Sequence, residues 1–434
     1  MDPGNDGKRT RREFLKSAVA VGGTSALSAC LGVAESGDGE REPVPTGVEE
    51  IRTLPDRQHA WRDRIRLDQH SNALLPRHQI LFYLTLDGSG PPDQGARETV
   101  ESALRTLDRA YERSHEGLLY SVAYSPAYFD RFEDSLPESI DLPPPRSLSD
   151  FESPDLDTQD TLVHLASDRA DVVLEAEEVL TGDREQANGR AADARLTDAM
   201  SVDSRRTGFV GPGLPAERQG EPEGIPEGGP VPEKSPLFMG FIAGFRKNQA
   251  SEEYVTLKEG PFAGGTTKHV SNIRQRLDDW YGEQDFDERV TEMFSPGHAE
   301  EGLVENVGES LGASSGIERF LDSIDDDAEE FGRVGHAQKN ARANRDAEGN
   351  VLLLRRHFES TDEDVASLHF PSLQREIAHF EGVREAMNGA DLAEISPAIR
   401  QRVNNGILEY IFVERRGNFL VPPMKLRSLP PARP

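Results

Sequence analysis

The amino-acid sequence predicts an α+β fold made of two similar halves, each with an antiparallel sheet. Short segments rich in β-branched and aromatic residues, typical of strands, alternate with segments whose apolar residues recur at helical spacing. In residues 58–210 these segments follow the order β-α-β-β-α-β, which is the order of a ferredoxin-like module. A second set of strands and helices follows in residues 236–434. We therefore expect a duplicated ferredoxin-like fold, packed through its sheets like a dimeric α+β barrel.

Four strands and two helices are predicted in the N-terminal half, residues 58–210. The first strand, His78–Leu86, has the composition of a strand that is buried on both faces. In the first helix, Val100, Leu104 and Leu107 recur at helical spacing. The predicted strands are at residues 78–86, 117–124, 160–166 and 206–210, and the predicted helices are at 98–113 and 169–180.

A loop separates the two halves. Residues 211–235 contain six glycines and six prolines, a composition that neither a helix nor a central strand tolerates. We expect this segment to be an irregular, solvated excursion between the halves.

The C-terminal half, residues 236–434, is predicted to hold the remaining strands and helices. An acidic run at residues 322–330 divides it into an earlier and a later part. The predicted strands are at residues 237–245, 351–356 and 366–370, the predicted helices are at 267–281, 287–294 and 377–387, and a closing stretch covers 407–422.

The N-terminal residues 1–30 have the pattern of an export signal. Arg11 and Arg12 precede Phe14 and an apolar run, as in twin-arginine signals. The run ends in Leu-Ser-Ala before Cys30, which resembles a lipobox whose cysteine is lipidated, and it is too short to span a membrane. We expect the protein to be exported by the twin-arginine route and anchored by lipid to the outer face of the cytoplasmic membrane. Residues 31–57 are then a flexible acidic tether.

Composition excludes several classes of function. The formal charge is −29, from 78 acidic and 49 basic residues, and such a surface repels nucleic acid. The acidic excess is typical of a halophilic protein, in which salt screens the self-repulsion. Cys30 is the only cysteine, so thiolate metal sites and cysteine nucleophiles are excluded from the mature chain. Any chemistry falls to His, Asp, Glu and Arg.

Five short motifs occur in a fixed order over residues 78–423. They are a glycine-led strand with a Leu-Pro crossing, a strand ending in Ala-x-Asp, a Gly-Pro-Phe turn with a later tryptophan, a Gly-His segment followed by paired arginines, and a C-terminal segment with glycine and proline, at residues 117–137, 160–168, 260–280, 335–356 and 407–423. Together these motifs resemble those of the DyP-type (dye-decolourising) haem peroxidases. The resemblance covers almost the whole chain after the N-terminal signal.

The resemblance implies a haem b cofactor and a residue on each of its two faces. His336 matches the family's histidine that binds the haem iron, and Arg355 matches the arginine on the opposite face. Imidazole is the usual axial donor for peroxide chemistry, and a fixed guanidinium stabilises the charge on a departing oxygen. From the residues alone, two other interpretations stay open: His336 as an exposed loop histidine, and Arg355 and Arg356 as a surface pair that forms salt bridges with acidic residues.

The implied reaction partners are hydrogen peroxide and an unknown reductant, with no nucleic acid and no membrane contact beyond the lipid anchor. The sequence leaves open whether the protein forms a homo-oligomer. His164 and His369 lie on predicted strands, where we expect core or subunit-contact histidines rather than ligands.

One departure from the family bears on catalysis. Where the family carries Gly-Phe-x-Asp-Gly, this sequence reads Gly-Phe-Val-Gly-Pro from Gly208, so that Gly211 stands at the place of the aspartate that helps deprotonate peroxide. His357, two residues after Arg355, or a water molecule would then move the proton. Two further hypotheses follow: a DyP-like haem-binding protein without turnover, and an extracytoplasmic binding lipoprotein without haem.

Overall fold

The computed structural model describes residues 42–434, which contain fourteen strands and eleven α-helices. The strands are β1 (Arg66–Leu67), β2 (Ala73–Leu74), β3 (His78–Leu86), β4 (Leu119–Tyr124), β5 (Asp155–Leu156), β6 (Thr161–Ser167), β7 (Gln186–Ala187), β8 (Arg190–Ala191), β9 (Met200–Phe209), β10 (Thr266–Gln275), β11 (Leu354–Arg355), β12 (Phe358–Ser360), β13 (Ser367–Gln374) and β14 (Ile411–Val421). The helices are α1 (Gln94–Ala110), α2 (Pro126–Phe129), α3 (Ala170–Thr181), α4 (Leu214–Arg218), α5 (Leu277–Glu283), α6 (Phe286–Met293), α7 (Pro296–Glu300), α8 (Ile324–Phe331), α9 (His336–Ala343), α10 (Ile377–Ala386) and α11 (Ala390–Ile395).

Eight strands close into a ring of antiparallel pairs. The order is β10-β13-β12-β9-β3-β6-β4-β14, and a further pairing between β10 and β14 closes it. The first half runs β3-α1-β4-β6-α3-β9, and the second runs β10-α5-β12-β13-α10-β14 with extra helices after α5. Both halves therefore follow the ferredoxin-like order, and the predicted α+β fold class is confirmed.

The two half-sheets meet at two narrow seams. At one seam Glu359 of β12 pairs with Phe209 of β9, and at the other Leu420 of β14 pairs with Tyr124 of β4. Within each half the ladders are long, for example seven residue pairs between β3 and β6. The ring therefore consists of two modules joined edge to edge.

The helix predicted for residues 267–281 is wrong in its first part, which is the central strand β10. The helix was predicted because apolar residues recur there at intervals of three and four residues, at Val270, Ile273 and Leu277. In the fold, β13 and β14 flank β10 on both sides and take up its backbone hydrogen bonds. Tertiary pairing overrides the local pattern, and only α5 remains helical.

The strand predicted for residues 237–245 is also wrong, because this segment has no regular secondary structure. Gly240 and Gly244 have φ angles of +89° and +81°, which break an extended chain. Phe238, Phe241 and Phe245 are nevertheless buried and belong to a large apolar cluster. The apolar composition reflects burial of an irregular segment.

Two boundaries also differ from the prediction. The loop at residues 211–235 contains the one-turn helix α4, whose first turn accommodates Pro215. The tether predicted for residues 31–57 does not extend to residue 57. Val48 donates a backbone hydrogen bond of 2.8 Å to Asp108 O, and a side chain at Gly47 would collide with the same carbonyl group. The segment from residue 45 is therefore packed on α1.

The remaining predicted elements lie within a few residues of observed ones. Within residues 42–434, no helix is both long and apolar enough to cross a membrane. Arg11, Arg12 and Cys30, and the signal that they define, lie outside the described residues.

Candidate functional site

His336 and Arg355 line the same cavity in the C-terminal half. The cavity is open to solvent on one side. The space between its atoms is about 670 Å³ when this opening is included, and about 110 Å³ of that space admits a water-sized molecule. The walls are mostly apolar and come from the irregular segment before β10 and from the helices around α9. The apolar lining residues include Ile242, Phe245, Phe294, Ile317 and Val351. The cavity therefore combines the imidazole of His336 and the guanidinium groups of Arg345 and Arg355 with a largely hydrophobic surface.

Two glycines fix the backbone of His336, the first residue of α9. A Cβ atom at Gly335 would lie 1.9 Å from Phe294 O, so only glycine allows this approach. Gly406 has a φ of +60°, and a Cβ atom there would lie 2.8 Å from His336 N. The start of α9 is therefore held between two neighbouring segments without room for adjustment.

Lys339, one helical turn after His336, ties α9 to the chain beneath it. Its buried ammonium group donates hydrogen bonds of 2.9 Å to Met387 O and 2.7 Å to Asn405 O, and a third to Asn405 Oδ1. Burial lowers the pKa of Lys339 to about 7. Because Asn405 precedes Gly406, the same loop holds both the helix and the backbone of His336.

His336 is a neutral base throughout the physiological pH range. Burial lowers its pKa to about 3, and the positive charges of Lys339 and Arg355 contribute to the shift. Its Nδ1 atom is buried and has no hydrogen-bond partner. A neutral imidazole with an unused nitrogen, at the wall of a cavity, has the electronic form that a metal ion requires.

Arg355 is held in the cavity wall by uncharged groups. Gln249 Oε1 accepts hydrogen bonds from Arg355 N at 2.9 Å and Nε at 3.4 Å, and Asn248 O accepts one from Nη2 at 3.4 Å. Burial lowers the pKa of Arg355 to about 10, and no carboxylate acts on it within the described residues. The guanidinium stays protonated at neutral pH, and its charge is not compensated.

Arg356, the next residue, has different surroundings. Its guanidinium forms an ion pair of 2.8 Å with Glu252 and lies 4.1 Å from the ring centre of Trp61. It is therefore a neutralised, structural cation. From the sequence alone, Arg355 and Arg356 could both belong to a surface pair that forms salt bridges. The structure shows that Arg356 forms an ion pair, whereas Arg355 is held by uncharged groups.

His357 does not line the cavity. The strand predicted over residues 351–356 is reduced to β11, which ends at Arg355, and β12 begins at Phe358, so His357 lies between two strands and does not share a strand face with Arg355. The His357 ring stacks on Phe370 with a centroid distance of 6.0 Å, and burial lowers its pKa to about 3. His357 thus lies outside the cavity lining, although the positive charge of Arg355 contributes to the lowered pKa of His357.

Gly211 has a φ of +125°, and no heavy atom lies within 4 Å of the place that a Cβ atom would take. A buried carboxyl group from another part of the chain lies beside the same segment. Glu359 pairs with Phe209, and its Oε1 accepts a 2.8 Å hydrogen bond from Phe238 N. Burial raises the pKa of Glu359 to about 8. Sequence reasoning missed Glu359, because its neighbours His357, Ser360 and Thr361 are polar and give no sign that the segment is buried.

The barrel interior holds the two histidines predicted for the core. His164 Nε2 lies 2.7 Å from Gln79 Oε1, and its Nδ1 lies 3.0 Å from Lys268 Nζ. His369 is fully buried, and neither ring nitrogen has a partner. Within residues 42–434, no group of three His, Asp or Glu side chains converges as a metal site.

Residues 76–423 match the sequence family described as a family of unknown function, DUF7405. The match covers most of the chain. The chain belongs to this family. A comparison with curated protein sequences gave no match.

Several solved structures of DyP-type proteins have the same fold as this DUF7405 member. The encapsulated DyP-type peroxidase from Mycobacterium smegmatis is 15% identical with a TM-score of 0.52, over 83% of this chain and 97% of that one. Ferric DtpA from Streptomyces lividans is 20% identical with a TM-score of 0.53, over 81% and 90%. The DyP-type peroxidase from Cellulomonas bogoriensis is 18% identical with a TM-score of 0.52, over 80% and 90%. At these identities the likeness establishes the fold alone.

Proposed function

We propose that this DUF7405 protein binds haem b in the cavity of His336 and Arg355 and uses it in a peroxide-dependent oxidation. The observation that carries the proposal is that these two residues, 19 positions apart in the sequence, line one apolar cavity. The fold shared with DyP-type peroxidases, one of them described as ferric, supports the assignment.

The donor set fits haem. His336 is neutral and has an unpartnered buried nitrogen, as an axial ligand requires. The apolar walls suit a porphyrin face. The space is tighter, because the part of the cavity that admits a water-sized molecule is about 110 Å³, whereas roughly 150 Å³ holds one benzene molecule. Haem binding therefore requires the walls to part, and residues 242–245, which have neither helix nor strand hydrogen bonding, form one of these walls.

When bound, haem supplies the redox-active iron. The chain supplies three functions around it. His336 donates its lone pair without first losing a proton, Arg355 stabilises negative charge on an oxygen atom in the cavity, and the apolar walls exclude bulk water. Because Gly211 carries no acid and His357 does not line the cavity, proton movement falls to water.

A second candidate is a haem-free protein that binds a small anion in the same cavity. The small enclosed volume and the uncompensated charge of Arg355 favour it. The absence of a carboxylate at Gly211 is compatible with a protein that has no peroxide turnover.

The absorption spectrum of the chain, expressed with a haem supply, distinguishes the two candidates. We expect a Soret band in the parent and in a His70→Ala control, whose histidine is exposed, and its loss in His336→Ala. Absence of a band in the parent would remove the haem proposal and leave the anion-binding one.

We also propose export and lipid anchoring through the N-terminal signal. The double substitution of Arg11→Lys and Arg12→Lys should retain the protein in the cytoplasm, because the export machinery recognises the two arginines as a pair. Fractionation of cells that express the parent and this variant tests the proposal, and Cys30→Ser should release the exported protein from the membrane. Export of the double-lysine variant would contradict it.

A further inference from the structure

Gln249 contacts Arg355 at three points. Its Oε1 atom accepts hydrogen bonds from Arg355 N and Nε, and its Nε2 atom donates one of 3.4 Å to Arg355 O. Both the backbone and the guanidinium of Arg355 are thus held by one half-buried amide group. The neighbouring backbones are also joined, because Ala250 N donates a 3.0 Å hydrogen bond to Leu353 O.

Other arginines near the cavity are held differently. Arg345, which also lines it, forms a 3.1 Å ion pair with Glu318, and Arg356 forms one with Glu252. In a chain with 78 acidic residues, the residue that orients Arg355 is nevertheless an amide. A glutamine fixes the guanidinium as a glutamate would, but it leaves the positive charge free.

We propose that Gln249 is a positioning residue that holds Arg355 in the cavity wall and keeps its charge available for a small anionic ligand. The proposal uses the cavity of the proposed function but does not require haem. Hydrogen bonds between a guanidinium and an anion are charge-assisted, and a planar oxyanion can accept two of them side by side. The part of the cavity that admits a water-sized molecule is about 110 Å³, which suits a ligand of a few heavy atoms.

Nitrate is a suitable probe, since it is small, planar and charged at every working pH. Its affinity is measured by titration calorimetry with the purified full chain, in a buffer whose salt is gluconate, an anion too large for the cavity. Two substitutions separate charge from position. Gln249→Glu keeps the acceptor but pairs with Arg355, and Gln249→Ala removes the acceptor but leaves the charge. Gln186→Glu, on an exposed strand, is the control for added charge.

We expect the parent and Gln186→Glu to bind nitrate equally. Gln249→Glu should bind about 10- to 100-fold more weakly, since it neutralises the group that binds the anion. Gln249→Ala should lose about three- to tenfold, because the guanidinium is then less well oriented. In Gln249→Glu the affinity should recover as the introduced carboxyl group is protonated at lower pH, which a purely structural role of Gln249 would not produce.

Equal nitrate affinity in the parent and Gln249→Glu would overturn the proposal. Nitrate binding that persists in Arg355→Ala would also overturn it, as would a parent protein that does not bind nitrate. If Gln249→Glu does not fold, the nitrate titrations of Gln249→Ala and Arg355→Ala decide.

The haem proposal is tested separately, by the Soret band. Nitrate binding by protein without a Soret band preserves the role of Gln249, and a Soret band in protein that does not bind nitrate removes that role alone.

Discussion

The cavity and the barrel interior each contain a neutral histidine near a cation that has no carboxylate partner. In the interior, Lys268 and His164 bond to each other, and His164 bonds to Gln79. In the cavity, His336 keeps an unpartnered nitrogen, and Arg355 is held by a neutral amide. Residue type is therefore a poor guide to function in this protein. What differs is that His336 and Arg355 line a cavity that a small ligand can enter.

The largest expected effect is the loss of turnover in Arg355→Ala. If the protein turns over peroxide, its rate should fall by about 100-fold or more, because a preorganised charge facing the reacting oxygen is removed. A steady-state assay with peroxide and a dye measures the rate. Arg319→Ala, which removes an exposed ion pair with Glu301 and a contact with the ring of Phe320, should match the parent. If Arg355→Ala turned over peroxide at the rate of the parent, Arg355 would have no role in the reaction, and the cavity cation would not differ in function from the interior cation Lys268.

The two buried lysines should respond in opposite ways to replacement by methionine. Lys339→Met leaves three oxygen acceptors under α9 unpaired, so the free energy of unfolding should fall by about 3 kcal/mol. Denaturant unfolding at pH 7 measures it. A neutral or stabilising result would mean that Lys339 does not tie the loop of Asn405 to the helix.

Lys268→Met should instead raise the free energy of unfolding, by about 2 kcal/mol at pH 7, because it removes a buried cation that has one partner. Burial lowers the pKa of Lys268 from 10.5 to about 7. Between these values the unfolded chain binds a proton that the folded chain does not, so this group makes the parent more stable as pH rises. The unfolding free energy should therefore rise less steeply with pH in Lys268→Met than in the parent. Lys258→Met, at an exposed position, is the control. Equal slopes would contradict the assignment.

At Glu359 the expected effect is confined to the pH dependence of stability. Burial raises its pKa from 4.5 to about 8, so the folded chain holds a proton that the unfolded chain releases. Its contribution to stability is therefore present below pH 4.5 and is lost as pH rises to about 8. Glu359→Gln, which imitates the protonated group, should reduce the fall in unfolding free energy between pH 5 and pH 8 by about 3 kcal/mol. An unchanged fall would show that Glu359 is ionised in the fold.

The first half of the fold could be predicted because its patterns are local. The run from His78 to Leu86 and the helical spacing of Val100, Leu104 and Leu107 each specify one kind of element. The second half was harder. The spacing of Val270 and Ile273 fits a helix, yet two flanking strands make that segment β10. A pattern of side chains cannot show which backbone groups find partners far along the chain.

The sequence by itself determined the α+β class, the acidic surface and the absence of cysteine chemistry after Cys30, because these depend on composition and on short-range periodicity. Its resemblance to DyP-type peroxidases also indicated His336 and Arg355. The tertiary structure decided that these two line one cavity, that His357 does not, and that a glutamine 106 residues before Arg355 holds its guanidinium. Burial and hydrogen-bond partners are properties of packed segments, and distance along the chain does not encode them.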